Sequence, residues 1–326
     1  MKIRFSLFAL SMIILPSTPN LLAADLVYVS MTNNTIVVYD TSSGVDATIR
    51  STAKTFVSSN LGWQGISGIA IDSTGNLYAS NGIGHTINIF DSSGAYLSSI
   101  STNQINPCGL AFDSFGNIYA ADGDGYTISK FDSSGAYLNS ISTGTYGPGG
   151  LVIDSSDNLY VAFIYNDFIK KFDSSGVFKS TIGGSPNLSG PVSLARDSAG
   201  TMYVANYNSN TIRKFDSSGV FQSTIGGFPN LNTPQSIAAD FAGNIYAVNS
   251  NGYKSISKFD SSGNFLFSWV PDYTFAVAPL GIAIRPTTVP EPSTYTLAGI
   301  ALVIAAVTWQ HRKQQGHSTF HQNLTP

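Results

Sequence analysis

Phe90-Asp91-Ser92-Ser93-Gly94 is a five-residue stretch that returns unchanged from Phe131, Phe172, Phe215 and Phe259, with a looser sixth copy over residues 39–44. Each copy stands between two short β-rich runs, as Thr211-Ile212-Arg213-Lys214 before Phe215 and Val220-Phe221-Gln222-Ser223 just beyond its glycine. Asp and Ser side chains can hydrogen-bond the backbone of a turn, and the closing glycine accepts a positive φ that other residues resist. The stretch therefore predicts a β-hairpin, and six copies predict six structural units.

Working outward from the hairpins, an aspartate follows the first strand of each unit at Asp72, Asp113, Asp154, Asp197 and Asp240, with Arg285 in the equivalent place of the last. The spacings are 41, 41, 43, 43 and 45 residues. A period in the low forties with about four short strands per unit is that of a β-propeller blade. Alternating apolar residues broken frequently by glycine exclude a helical solenoid. First strands such as Ile69-Ala70-Ile71, Leu110-Ala111-Phe112 and Leu194-Ala195-Arg196 mostly flank a small residue with large ones. That pattern suits the crowded inner strand of a blade. Gly75, Gly116, Gly200 and Gly243 close the next turn, with Asp157 in the fifth copy. Columns of tyrosine (Tyr78, Tyr119, Tyr160, Tyr203 and Tyr246) and isoleucine (Ile87, Ile128, Ile169, Ile212 and Ile256) mark the second and third strands as core. The first unit lacks an inner strand, whereas Gly281-Ile282-Ala283-Ile284 supplies an extra one at the far end. The expected fold is all-β: one six-bladed propeller over residues 25–286, its ring closed by pairing the first and last strands.

Composition narrows the function. Over residues 25–286, 12 Lys and Arg face 18 Asp and no Glu, a net charge of −6 that disfavours nucleic acid as a partner. Cys108 is the only cysteine, so no intrachain disulfide, CxxC pair or thiolate zinc cage can form. Beside Pro107 and Gly109 it reads as a small buried hydrophobe. Residues 1–24 carry Lys2 and Arg4, an apolar run from Phe5 to Leu15 and a small-residue end at Ala23-Ala24. This is the pattern of a secretory signal peptide, and the apolar run is too short for a membrane span.

Two resemblances add to this reading. Pro107-x-Gly-Leu-Ala-x-Asp, then Gly116-Asn-Ile-Tyr and Ile128-x-Lys-Phe, resembles the NHL repeat, and the run recurs from Pro148, Pro191 and Pro234. The family's polar residue after the second strand stands at Asn81, Asp122, Asn206 and Asn249, but Phe163 and Met31 replace it in two units. The tail is similar to a PEP-CTERM sorting signal: Pro290-Glu291-Pro292, an apolar stretch from Leu297 to Trp309, then Arg312 and Lys313. Here the chain continues through Gln314 to Pro326, beyond the family's usual stop. The resemblance implies a linker over 287–293, a transmembrane sorting helix over 294–310 and a cytoplasmic basic tail over 311–326. It further implies an exosortase-type membrane protease as partner, export through the inner membrane of a Gram-negative-type bacterium, and delivery to the cell surface or extracellular matrix.

The NHL resemblance leaves catalysis open, because similar propellers include lactonases and lyases. Such chemistry needs a metal cage or a positioned acid and base. The propeller region holds one histidine, His85, in a variable loop, and no glutamate. Asp122 and Asp124, in Asp-Gly-Asp-Gly, could offer oxygens to Ca²⁺ but fall short of an EF-hand's carboxylates. The repeated turn aspartates read as structural, and Arg196 as a charge reaching out from an apolar column. The expected function is therefore non-catalytic binding of a polysaccharide or surface protein, with no cofactor; a propeller lyase or lactonase is the alternative. Loops after the second strands differ between units, and variation reports what is specific to a protein. Tyr126, Phe163, Tyr165, Phe168, Tyr207 and Tyr253 are the expected binding-face aromatics, with the unit of Phe163 at the centre.

Overall fold

The computed structural model describes residues 26–41, 53–57, 66–271 apart from 105, 145 and 253, and 279–285. Within them, twenty-four strands form six four-stranded antiparallel sheets. Five sheets are consecutive in sequence, and the sixth joins the last strand, Pro279–Arg285, to the first, Leu26–Met31. Leu26 pairs with Arg285 and Ser30 with Gly281, so the chain ends close the ring within one blade as the sequence predicts. The blades are numbered 1 to 6 from this split blade. Signal peptide, linker, sorting helix and basic tail lie outside the described residues, and among the described residues no helix is long and apolar enough to cross a membrane.

The six inner strands, Pro279–Arg285, Ile66–Ile71, Pro107–Phe112, Leu151–Ile153, Pro191–Arg196 and Pro234–Ala239, touch one another in order around an axis. Small residues permit that approach. A Cβ on Gly150 would lie 2.7 Å from Ser193 Cα of the next blade, and one on Gly281 would lie 2.9 Å from the Ser67 carbonyl oxygen. Hydrogen bonds then stitch neighbours together: Gly150 N–H to Val192 O at 3.0 Å, Ile237 N–H to Ser193 Oγ at 3.2 Å, and Ile282 N–H to Ser236 Oγ at 3.2 Å. The core lies between sheets, where the second-strand tyrosines and third-strand isoleucines are buried.

The repeated stretch is a hairpin between third and fourth strands. In blade 2 the Ser93 backbone N–H, the Ser93 hydroxyl and the Ala95 N–H donate to Asp91 Oδ1 at 2.8, 2.6 and 3.0 Å, while Gly94 holds φ 91°. These bonds hold the Asp91 carboxyl below the usual carboxylate range, the Ser93 hydroxyl contributing most. Each of these hairpins ends its third strand in a register shift at the phenylalanine, which then meets the aromatic of the next strand edge to face, Phe90 with Tyr96 at 5.8 Å and Phe131 with Tyr137 at 5.9 Å.

The turn after each inner strand holds a second network. Asp113 accepts from Asn117, from the Tyr119 hydroxyl at 3.4 Å and from the Lys130 ammonium at 3.1 Å, and Lys130 sits 4.7 Å over the Tyr119 ring. Blade 4 repeats the trio with Asp154, Tyr160 and Lys171. Burial works to raise the Asp113 carboxyl, but Asn117 and Lys130 together hold it below the ordinary value. In blade 2, burial first and the Asp72 charge second push the Tyr78 hydroxyl up to about 12.

Candidate functional site

The loops after the second and fourth strands share one face, where those of one blade are tied to each other. Thr143 Oγ1–H donates to Tyr126 O at 2.7 Å, Gly190 N–H to Asp167 Oδ1 at 2.7 Å, and Thr233 N–H to Asn210 Oδ1 at 2.7 Å. These bonds hold the varied loops of blades 3, 4 and 5 to the segments that lead into the next blade. Tyr165 stands 90% exposed on it, and Ile83, Tyr126 and Phe228 are exposed beside other loops. Tyr207 is half-buried, and Tyr253 lies outside the described residues.

Phe163 does not belong to that surface. It is fully buried, contrary to its expected place at the binding centre. Where blades 2, 3, 5 and 6 carry a polar residue at the end of the second strand, blade 4 has built an apolar box: Phe163, Tyr146 and Phe168 pack with ring centroids 5.3 to 6.1 Å apart. The box holds the chain's own Lys170, whose Nζ lies 5.0 Å from the Tyr146 ring, 5.3 Å from Phe163 and 5.8 Å from Phe168 while donating to Thr143 O at 3.1 Å. Cation–π attraction thus satisfies a half-buried ammonium internally. Sequence reading missed Tyr146 and Lys170. The available signal was that Lys170 stands where blades 2, 3 and 6 carry Asn88, Ser129 and Ser257.

Asp122 is likewise committed. Its Oδ1 accepts from Asn106 N–H at 3.0 Å and Gly125 N–H at 2.9 Å, bridging two loops, while Asp124 is exposed. Among the described residues no group of three His, Cys, Asp or Glu is placed to hold a metal ion. His85 is an exposed loop residue whose carbonyl accepts from Thr102.

The loop face surrounds one mouth of the central channel, a cavity of about 300 Å³. Its walls are Ser67, Cys108, Gly149, Val192, Gln235 and Leu280 with the aliphatic residues that follow them. Cys108 is the only ionisable residue there, and burial pushes its thiol up to about 11, so it stays protonated near neutrality. The opposite mouth is a second cavity, of about 550 Å³, lined by Asp154, Arg196, Asp197, Asp240 and Phe241.

No protein-family model matches the chain, and no curated protein matches it. Solved structures do. A chain of the nidogen/laminin complex superposes with TM-score 0.68 at 18% identity, covering 80% of this chain and 98% of that one. Streptogramin B lyase gives 0.55 at 17% identity over 64% and 70% of the two chains. A protein of unknown function from Bacteroides caccae gives 0.62 at 15% identity over 80% and 98%. At these identities the likeness establishes the propeller fold and nothing finer.

Proposed function

We propose that this chain is an exported, surface-sorted propeller of NHL type whose loop face binds a polysaccharide or surface protein without transforming it. The observation that carries this reading is a contrast on one face. Exposed apolar side chains, Tyr165, Ile83, Phe228 and Tyr126, rise from loops that differ between blades, while the channel mouth among them offers a single protonated thiol and no acid–base pair. Exposed aromatics ringed by polar residues suit recognition, where a few anchors carry most of the energy. The nidogen/laminin neighbour supports a binding role by fold analogy, as the lyase neighbour supports catalysis by the same analogy; the channel lining favours binding. Export and sorting rest on residues 1–24 and on Pro290-Glu291-Pro292 with its apolar and basic followers, which would engage an exosortase-type protease.

The test is a screen of the purified chain against polysaccharide and surface-protein panels, followed by variants. Tyr165→Ala and Tyr126→Ala should weaken binding without changing the melting temperature. Ser174→Ala, in a hairpin on the opposite face, should leave it intact. Equal behaviour of the two sets, or turnover of the bound ligand, would overturn the reading.

A further inference from the structure

We propose that the second channel mouth, opposite the loop face, is a binding site for a carboxylated sugar, a uronic acid unit, seated between Arg196 of blade 5 and Phe241 of blade 6. The repeat itself identifies these two residues. By register with the second strand, the place of Arg196 is held in the other blades by Ile71, Phe112, Ile153, Ala239 and Ile284. The place of Phe241, just after the turn aspartate, is held by Ser73, Ser114, Ser155 and Ser198. Positions that repeat report what the fold needs. Two departures that fall on adjacent blades and line the same cavity report something else.

Arg196 is a charge in an otherwise apolar column. Its side chain is half-buried and, among the described residues, makes no hydrogen bond or ion pair, only a cation–π contact 5.2 Å over the Tyr160 ring. That contact leaves the guanidinium donors for a ligand. A planar carboxylate is the group a guanidinium fork pairs with in two parallel bonds. Ala239, small where other blades mostly carry isoleucine or phenylalanine, leaves room beside it, and the cavity of about 550 Å³ is of small-ligand size.

The other walls say what surrounds that carboxylate. Phe241 is 78% exposed at the rim, a flat apolar platform suited to the C–H face of a pyranose ring. Asp154, Asp197 and Asp240 also line the cavity. Their turns engage them: Asp197 accepts from Thr201 N–H and the Tyr203 hydroxyl, and Asp240 from both nitrogens of Asn244. Asp154 is filled by Ser156, Asn158, Tyr160 and Lys171, and Asp240 is buried, whereas each Asp197 oxygen takes a single bond and keeps acceptor capacity for a sugar hydroxyl. Three negative charges beside one arginine disfavour a phosphate dianion, whereas a carboxylate, one charge on each sugar unit and carried on a polyol, meets both kinds of wall.

Calorimetry on the purified chain with trigalacturonate, a neutral galactose trisaccharide and inorganic phosphate tests this. Trigalacturonate should bind. Arg196→Ile and Phe241→Ser, which install residues that other blades carry at those places and so keep the fold, should each weaken it about tenfold or more. Arg196→Lys, which keeps the charge but loses the fork, should also weaken it. The neutral sugar should bind at least about tenfold less tightly, and phosphate should not compete. Tyr165→Ala, on the other face, should change nothing here, which separates this site from the loop-face reading. Absence of trigalacturonate binding, wild-type affinity in both Arg196→Ile and Phe241→Ser, equal binding of the neutral sugar, or displacement by phosphate would each overturn the proposal.

Discussion

Phe163 ends the strand Leu159–Phe163 and Tyr165 stands two residues on in the loop that follows, and the structure assigns them opposite consequences. Phe163→Ala removes a fully buried ring that packs on Tyr146 and Phe168 and forms one wall of the Lys170 box. Truncating a buried phenylalanine to alanine costs about 3–5 kcal/mol through lost transfer energy and the cavity left behind. Loss of one cation–π wall adds roughly 0.5–1 kcal/mol. For a domain of this size each kcal/mol moves the melting temperature by about 2–4 °C, so a drop on the order of 10 °C is expected. Tyr165→Ala removes a side chain that is 90% exposed and should stay within about 0.5 kcal/mol of wild type. Lys170→Met separates the terms, since it keeps the apolar filling and loses the ammonium and its bond to Thr143 O. Its cost should be well below that of Phe163→Ala. Calorimetric melting of the three variants is the assay. A Phe163→Ala protein that melts within about 2 °C of wild type would refute the box as a core element.

Other consequences follow from closure, charge and the tail. Truncation after Ala278 removes the strand Pro279–Arg285 and leaves the inner edge of Leu26–Met31 without a partner, so the protein should aggregate or unfold far below the intact chain; a melting temperature equal to the full chain would refute the split blade. The folded carboxyls of Asp113, Asp154 and the hairpin aspartates Asp91, Asp132, Asp173, Asp216 and Asp260 are held below their unfolded values. A lowered folded pKa stabilises above the unfolded value, so stability should be level down to about pH 5 and fall steeply below about pH 4; thermal melts across pH 3–7 check this, and a flat profile would refute it. Tyr78, pushed up to about 12, works in the opposite direction, and its phenolate absorbance should emerge only above the usual tyrosine range or on unfolding. If the tail is processed, mass spectrometry of protein from its native host should find no peptide from Leu297 onward, and alanine at Pro290, Glu291 and Pro292 should restore it.

The sequence by itself determined the architecture, because a propeller repeats its local chemistry in every blade. The Phe-Asp-Ser-Ser-Gly hairpin, the glycine turn, the tyrosine and isoleucine columns and the displaced inner strand are each dictated by backbone geometry or by burial against a neighbour of the same kind. Repetition made them legible and placed the varied loops together on one face. What a non-repeating residue does was decided only in three dimensions. Phe163 is an apolar residue at a strand's end, and sequence cannot tell an exposed aromatic from one whose partners, Tyr146 and Lys170, arrive from a loop and from the next strand. Asp122 offers oxygens that could face a cation by sequence, and only the structure shows Asn106 and Gly125 using one of them. Arg196 and Phe241 lie 45 residues apart in sequence, yet line one cavity because each blade turns its inner strand toward the same axis. Local signals travel along the chain at the period of a strand or a blade, whereas a site is a meeting of residues across blades, and only the closed ring brings that meeting about.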